Sequence, residues 1–223
     1  MSPRQLALAL DYAESFDRED FLEGPPNAAA LALIDRWPDW PADIVALVGP
    51  RGSGKSHLAS IWAARAGARF LSGRTLELGG LPGALATGAL VVEDLAEQEF
   101  DERSLFHLLN LAREERTYVL LTARSVPTSW NVRLADLGSR LRAVPAVSLD
   151  APDDPLLRAV LVKLFADRQL AVDEALLSFL LARIERSFSA ARAAVEVLDG
   201  EALRRGRPVN RALAAELFRQ GGA

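Results

Sequence analysis

The sequence predicts an α/β fold, with a five-stranded, mostly parallel sheet between helices and a small all-helical domain after it. Three observations carry that expectation. Short, wholly apolar runs alternate with helical spacings up to about residue 150, as buried parallel strands and their covering helices do. One such run, Ile44 to Val48, leads into a glycine-rich turn and then a helix opening near Lys55. Beyond Asp150-Ala151-Pro152-Asp153-Asp154-Pro155 the apolar runs cease and only helical spacing remains.

Taken in order, the chain opens with Gln5-Leu6-Ala7-Leu8-Ala9-Leu10. Leucines at alternate positions fit an extended segment with one apolar edge, although alanine and leucine also favour helix. An acidic stretch, Asp11 to Glu23, ends at Gly24-Pro25-Pro26, where prolines stop any helix. Asn27 is placed to cap a helix over 28–36. Trp37-Pro38-Asp39-Trp40-Pro41 reads as a turn whose tryptophans anchor packing. The first strand follows at 44–48, then the turn and a helix carrying Leu58, Ile61 and Trp62 on one face. Arg69-Phe70-Leu71 suggests a second strand, and Gly79-Gly80-Leu81-Pro82-Gly83 a loop with little room for a long helix. Ala89 to Val92 reads as a third strand ending in Glu93-Asp94. Leu105, Leu108, Leu109 and Ala112 then mark a helix, with His107 as a satisfied or surface imidazole. Tyr118 to Thr122 and Val144 to Leu149 complete the five strands, the last despite Pro145 near its start. Asp154 caps a helix with Pro155 in its first turn, and further helices are expected over about 173–184, 188–204 and 210–219.

Composition sets limits. Half the residues are apolar and a quarter charged, the balance of a globular protein. Net charge is −4, with 24 arginines and only two lysines, which gives no generally basic nucleic-acid surface. The absence of cysteine rules out disulfides and thiolate metal sites and suits a reducing cytoplasm. No apolar run approaches a membrane span of about 20 residues. The N-terminus lacks a signal-peptide layout, so the expected location is cytoplasmic.

The chemistry concentrates in Gly49-Pro50-Arg51-Gly52-Ser53-Gly54-Lys55-Ser56, which has the G-x-x-x-x-G-K-[ST] spacing of a phosphate-binding loop. Glycines let backbone N–H groups turn inward and, with the helix N-terminus, meet polyphosphate oxygens. Lys55 is placed for the β- and γ-phosphates and the Ser56 hydroxyl for Mg2+. Glu93 and Asp94 stand where a strand leaves the sheet beside the loop, the place for a magnesium carboxylate and a group orienting the attacking water. Their order, Glu then Asp, reverses the usual one, and strand alternation sends neighbours to opposite faces. Nucleotide binding with weak or absent intrinsic hydrolysis is therefore expected. Thr122, closing the fourth strand, is a candidate partner for the γ-phosphate or the water. Arg140 is one arginine among many by residue type alone.

Together these residues resemble the AAA+ ATPases and, within them, the DnaA family. Phe16 with Phe21-Leu22-Glu23-Gly24-Pro25-Pro26-Asn27 is similar to the segment that closes over adenine, which places Phe21, Leu22 and His57 beside the base. Leu120-Leu121-Thr122-Ala123-Arg124 resembles the first sensor strand, and Asp136 to Leu141 the arginine-finger box, so the resemblance assigns Arg140 to transition-state charge on a neighbour's nucleotide. The second-sensor arginine is matched by Ser189, with Arg192 one turn away as its stand-in. DnaA continues into a DNA-binding helix-turn-helix domain, whereas this chain stops after a helical lid. That layout, with a QLxLxL-type leader, is similar to DnaA-related regulators that inactivate the initiator. The resemblance implies three parts: residues 1–12 as a peptide docking on the β sliding clamp of DNA polymerase, 13–150 as the AAA+ domain and 151–223 as the lid. Gln5, Leu6, Leu8 and Leu10 would supply the clamp contacts. ADP or ATP with Mg2+ is the implied cofactor, DnaA the partner whose ATP is hydrolysed, and DNA is met through the clamp. Sites formed between subunits, including between copies of this chain, also belong to this resemblance. The rival expectation is an AAA+ helicase loader or DnaA-like remodeller that hydrolyses ATP on nucleic acid.

Overall fold

The computed structural model describes residues 16–95 and 100–220, which divide into two compact units, 16–151 and 152–220. In the first, β1 (Ile44–Val48), β2 (Arg69–Ser72), β3 (Ala89–Leu95), β4 (Tyr118–Ala123) and β5 (Ala146–Ser148) form one sheet in the order β2-β3-β4-β1-β5. All four pairings are parallel. Helix α1 (Ala28–Arg36) precedes the sheet; parallel strands need crossovers, and the sequence supplies helices for them: α2 (Lys55–Ala66), the short α3 (Leu81–Leu85), α4 (Glu102–Glu114) and α5 (Ala135–Arg142).

Alternation along β1 shows why its residues are all apolar. Ile44, Ala46 and Val48 join one core layer with Leu105, Leu108 and Leu109 of α4 and Leu137 and Leu141 of α5. Val45 and Leu47 join the other, with Leu31 and Ile34 of α1 and Leu58 and Trp62 of α2. Covered on both faces, β1 is wholly buried, whereas the edge strands β2 and β5 are largely exposed. Trp40 stacks on Trp62 at 4.8 Å and donates its indole N–H to Leu33 O at 2.8 Å, the anchoring role expected of it.

Four local expectations are corrected. Asn27 precedes α1 without capping it; its amide bonds backward, accepting from Gly24 N at 2.9 Å and donating to Leu22 O at 3.0 Å. The fifth strand is only Ala146–Ser148, since Pro145 cannot donate to a ladder. The cap of the first helix beyond 151 is Asp153, which accepts from Leu156 N at 2.9 Å, rather than Asp154. Finally, β3 does not stop at Glu93-Asp94 but runs on through a bulge to Leu95.

The second unit comprises α6 (Asp154–Asp167), α7 (Glu174–Leu181), α8 (Phe188–Arg205) and α9 (Arg211–Gln220). They enclose a core of Leu157, Leu161, Phe165, Leu180, Leu198 and Leu213. Asp173, Ser187 and Asn210 each cap the following helix by accepting a backbone N–H. Among the described residues, no helix is long and apolar enough to cross a membrane.

Candidate nucleotide-binding site

The inner strand β1, between β4 and β5, delivers the glycine-rich turn to the C-terminal edge of the sheet, where α/β folds hold their ligands. Gly49 N donates to Ala123 O at 3.1 Å, which fixes the start of the loop against the end of β4. A Cβ on Gly49 would sit 2.2 Å from Leu149 O, so only glycine fits there. Gly52 and Gly54 have φ of 72° and 100°, the left-handed region that turns successive N–H groups toward one side.

Lys55 opens α2 almost fully buried, and its Nζ donates to Gly49 O and Pro50 O, both at 2.8 Å. Burial pushes its pKa below the ordinary value; the Asp94 carboxylate opposes that shift and the Arg124 guanidinium adds to it. Ser53 is buried, and its Oγ has no hydrogen-bond partner among the described residues. Arg51 and Ser56 lie exposed on the loop and the first turn. A fully buried, unpartnered hydroxyl and an ammonium bound only to loop carbonyls, on a loop whose first residue admits only glycine, are what a polyphosphate would complete. These residues fit a nucleotide. Among the described residues no cluster of three or more His, Cys, Asp or Glu is suited to a metal. A magnesium ion here would draw on Ser56, one carboxylate of β3, phosphate oxygens and water.

The carboxylate pair sits on a β-bulge. Val92 pairs with Leu121 and Leu95 with Ala123, so Glu93 and Asp94 together face Thr122 alone. Asp94 has φ of 53°, and its N–H is accepted by Thr122 Oγ1 at 3.1 Å. The regular alternation expected of this strand end does not hold, because an inserted residue re-aims the side chains beyond it. Of the two acids, Asp94 is the one whose charge bears on Lys55, while Glu93 is in register with Ser72 of β2. Thr122 is buried, and by accepting from Asp94 it keeps its own hydroxyl proton to donate.

The segment before α1 is assembled around His57. Its Nε2 lies 3.1 Å from Asp17 O, and the rings of Phe16 and Phe21 meet it edge-on at 5.3 and 5.2 Å. Phe21 is buried and Leu22 half-buried. Asp150 N donates to Pro26 O at 3.0 Å, which ties this segment to the chain leaving β5.

One candidate of this unit, Arg140, is not brought to the loop. Arg140, in α5, lies beside Ile44 at the start of β1. At about 3.3 Å per residue that is roughly 16 Å of strand from Gly49. Arg192 lies on α8 of the helical unit, and Ser189 there bonds Ser187, Oγ to Oγ, at 3.1 Å. Gln5, Leu6, Leu8 and Leu10 fall outside the described residues. Sequence reasoning gave no role to Arg124, the exposed residue after Ala123; its signal was adjacency to the strand end that binds Gly49.

A parallel sheet with a glycine-rich loop after an inner strand, followed by a helical unit, defines a phosphate-loop nucleotide-binding fold. More narrowly, this is the fold of AAA+ ATPase domains. The chain is similar to domain III of the replication initiation protein DnaA from Thermotoga maritima, at TM-score 0.72 and 16% identity over 92% of this chain and 96% of that one. It is similar to a replication initiator DnaA bound to AMPPCP and single-stranded DNA, at TM-score 0.67 and 16% identity over 88% and 70%. The RuvB Holliday junction branch migration motor of Thermotoga maritima matches at TM-score 0.69 and 17% identity over 91% and 70%. No protein-family model matches the chain. No curated protein matches it either.

Proposed function

We propose that this chain is an Hda-like negative regulator of replication initiation. It binds ADP or ATP in its own phosphate loop, docks on the β sliding clamp through Gln5, Leu6, Leu8 and Leu10, and stimulates hydrolysis of the ATP held by DnaA. In this reading residues 1–12 are the clamp peptide, 13–150 the AAA+ domain and 151–223 the lid, and the protein works in the cytoplasm. The observation that carries it is the position of Arg140. Roughly 16 Å of strand separates it from its own loop, which supports a role toward a nucleotide held by another molecule rather than its own.

Gly49 to Ser56 grip the β- and γ-phosphates, with Lys55 donating to their oxygens in place of the loop carbonyls. A magnesium nucleotide would be held by the loop N–H groups, Lys55 and Ser56, and would supply negative charge opposite the Lys55 ammonium. Arg140 donates to γ-phosphate oxygens of the ATP on DnaA and offsets the charge that develops as water attacks. Removing an arginine of this kind costs about 10³-fold or more in rate. The test is ATP loss from DnaA with clamp loaded on DNA, using the full chain, a form lacking residues 1–10, Gln5→Ala/Leu6→Ala and Arg140→Ala. Loss of clamp binding in the two leader variants, and loss of stimulation in Arg140→Ala, are expected. Equal clamp binding by all forms removes the tether, and full activity from Arg140→Ala removes the finger.

A second reading is favoured by Asp94, whose charge reaches Lys55. In it the chain hydrolyses ATP itself, as a helicase loader or DnaA-like remodeller on nucleic acid. Steady turnover stimulated by single-stranded DNA and abolished in Asp94→Ala would select it.

A further inference from the structure

Two arginines from different helices face one concavity at the end of the sheet remote from the phosphate loop. Arg140 comes from α5 and Arg113 from the last turn of α4; between them lies about 340 Å³, walled by Trp40, Ile44 and Val144. Neither guanidinium makes a side-chain hydrogen bond or ion pair among the described residues, although ion pairs are common elsewhere on this chain. The Trp40 indole N–H is already given to Leu33 O, so the two guanidiniums are the strong donors here. One carboxylate, Asp43, also lines the space and pairs with neither, leaving the site one positive charge in excess.

We propose that Arg113 and Arg140 together form a two-arginine clamp for the phosphate tail of a nucleotide bound to another AAA+ subunit. Three observations fix the ligand class. Planar guanidinium forks match phosphate oxygens two at a time, and two forks from separate helices can grip a tail from both sides. A space of about 340 Å³ is at the low end for small-molecule sites, enough for a phosphate tail and small for a whole nucleotide. The distance to Gly49 excludes the chain's own nucleotide. In naming another subunit as the source, this rests on the finger reading of Arg140; it adds Arg113 as a second binding residue.

The experiment titrates sodium tripolyphosphate into the full chain saturated with ADP, so that the phosphate loop is already filled. One additional site is expected, weakened about 10-fold to 100-fold in Arg113→Ala and likewise in Arg140→Ala, as loss of a charged hydrogen-bonding group predicts. Arg113→Lys should recover part of it, because a point charge lacks the fork. ADP affinity should stay unchanged in Arg113→Ala. Absence of the second site, or wild-type tripolyphosphate affinity in Arg113→Ala, overturns the clamp. A parallel assay of ATP loss from DnaA separates the two readings. If tripolyphosphate binding depends on Arg113 while DnaA keeps its ATP, the clamp stands and the DnaA role falls. If DnaA loses its ATP but Arg113→Ala changes neither measurement, the reverse holds.

Discussion

Replacing Thr122 with valine tests what holds the bulge of β3 in place. Asp94 is a non-glycine residue at φ 53°, a conformation that costs roughly 1–2 kcal/mol for a side chain with a Cβ. Its N–H bonds to Thr122 Oγ1 at 3.1 Å, and this is the contact that offsets the strain. Valine keeps the shape of threonine within a buried site but offers no acceptor, so the Asp94 N–H is orphaned. An orphaned donor costs about 1–3 kcal/mol, and the exposure of Asp94 to water favours the lower part, about 1–2 kcal/mol. For a unit of this size that lowers Tm by about 3–8 °C. Thr122→Ser restores the acceptor and should recover most of the loss, while Asp94→Gly relieves the strain and should tolerate Thr122→Val far better. Differential scanning calorimetry of the wild type, the three single variants and the Asp94→Gly/Thr122→Val double variant is the assay. Valine and serine variants melting within about 1 °C of each other would refute the linkage of Thr122 to the bulge.

Gly49→Ala should lower stability by about 1–3 kcal/mol and remove nucleotide binding, because the new Cβ meets the backbone Leu149 O, itself held in the β1–β5 pairing. Gly83→Ala, within α3 and open on all sides, should instead stabilise by about 0.5–1 kcal/mol; urea melts of both variants check the contrast. Lys55 is held below its ordinary 10.5 by burial. Between the lowered value and 10.5 the unfolded chain binds more protons, so the nucleotide-free protein gains stability as pH rises, while nucleotide affinity falls with loss of the ammonium. Melting with and without ADP across that alkaline window should show the two opposite trends, both lost in Lys55→Met. Asp101 caps α4, and hydrogen bonds from Ser104 Oγ and Ser104 N hold its carboxyl below the ordinary 3.8. That stability is complete above the unfolded value and lost as pH falls through the lowered one, so Asp101→Asn should flatten the acid limb of a circular dichroism titration at little cost near neutrality.

The parts most legible in the sequence were those where one pattern answered to one physical demand. Ile44 to Val48 is apolar throughout because both faces of β1 are covered, and the glycines after it are required by close approach or positive φ. Capping was less legible, because several polar residues competed for each role. Asp153 and Asp154 adjoin, and only the backbone angles choose between them. Asn27 stands in the capping position yet spends its amide on Gly24 and Leu22, bonds that no spacing encodes. The bulge was not legible at all. Glu93-Asp94 reads as an ordinary strand end, and the extra residue shows only when Val92 and Leu95 are matched to β4. Arg113 was hidden for a similar reason, being one charged residue on the exposed side of an amphipathic helix until α5 is laid beside it.

Helix α4 bears on how the two ends of the sheet are joined. β3 passes from the acids beside the loop toward α4, and the first residue of α4, Glu102, reaches across to the entry of α5. Its carboxylate accepts from Arg133 N at 2.9 and 3.0 Å and from Leu134 N at 2.7 Å, the residues immediately before the helix that carries Arg140. Leu134 has no cap of its own side chain to offer that helix, so the start of α5 is set by a group belonging to α4. Both arginines of the remote concavity therefore ride on helices pinned to each other at one point, Arg113 from α4 and Arg140 from α5. β1 supplies the fixed frame between the two ends, with Ile44 in the concavity wall and Val48 leading into Gly49. Under the two-arginine proposal, the Glu102 contact to the start of α5 is what holds the two guanidiniums in a fixed relation.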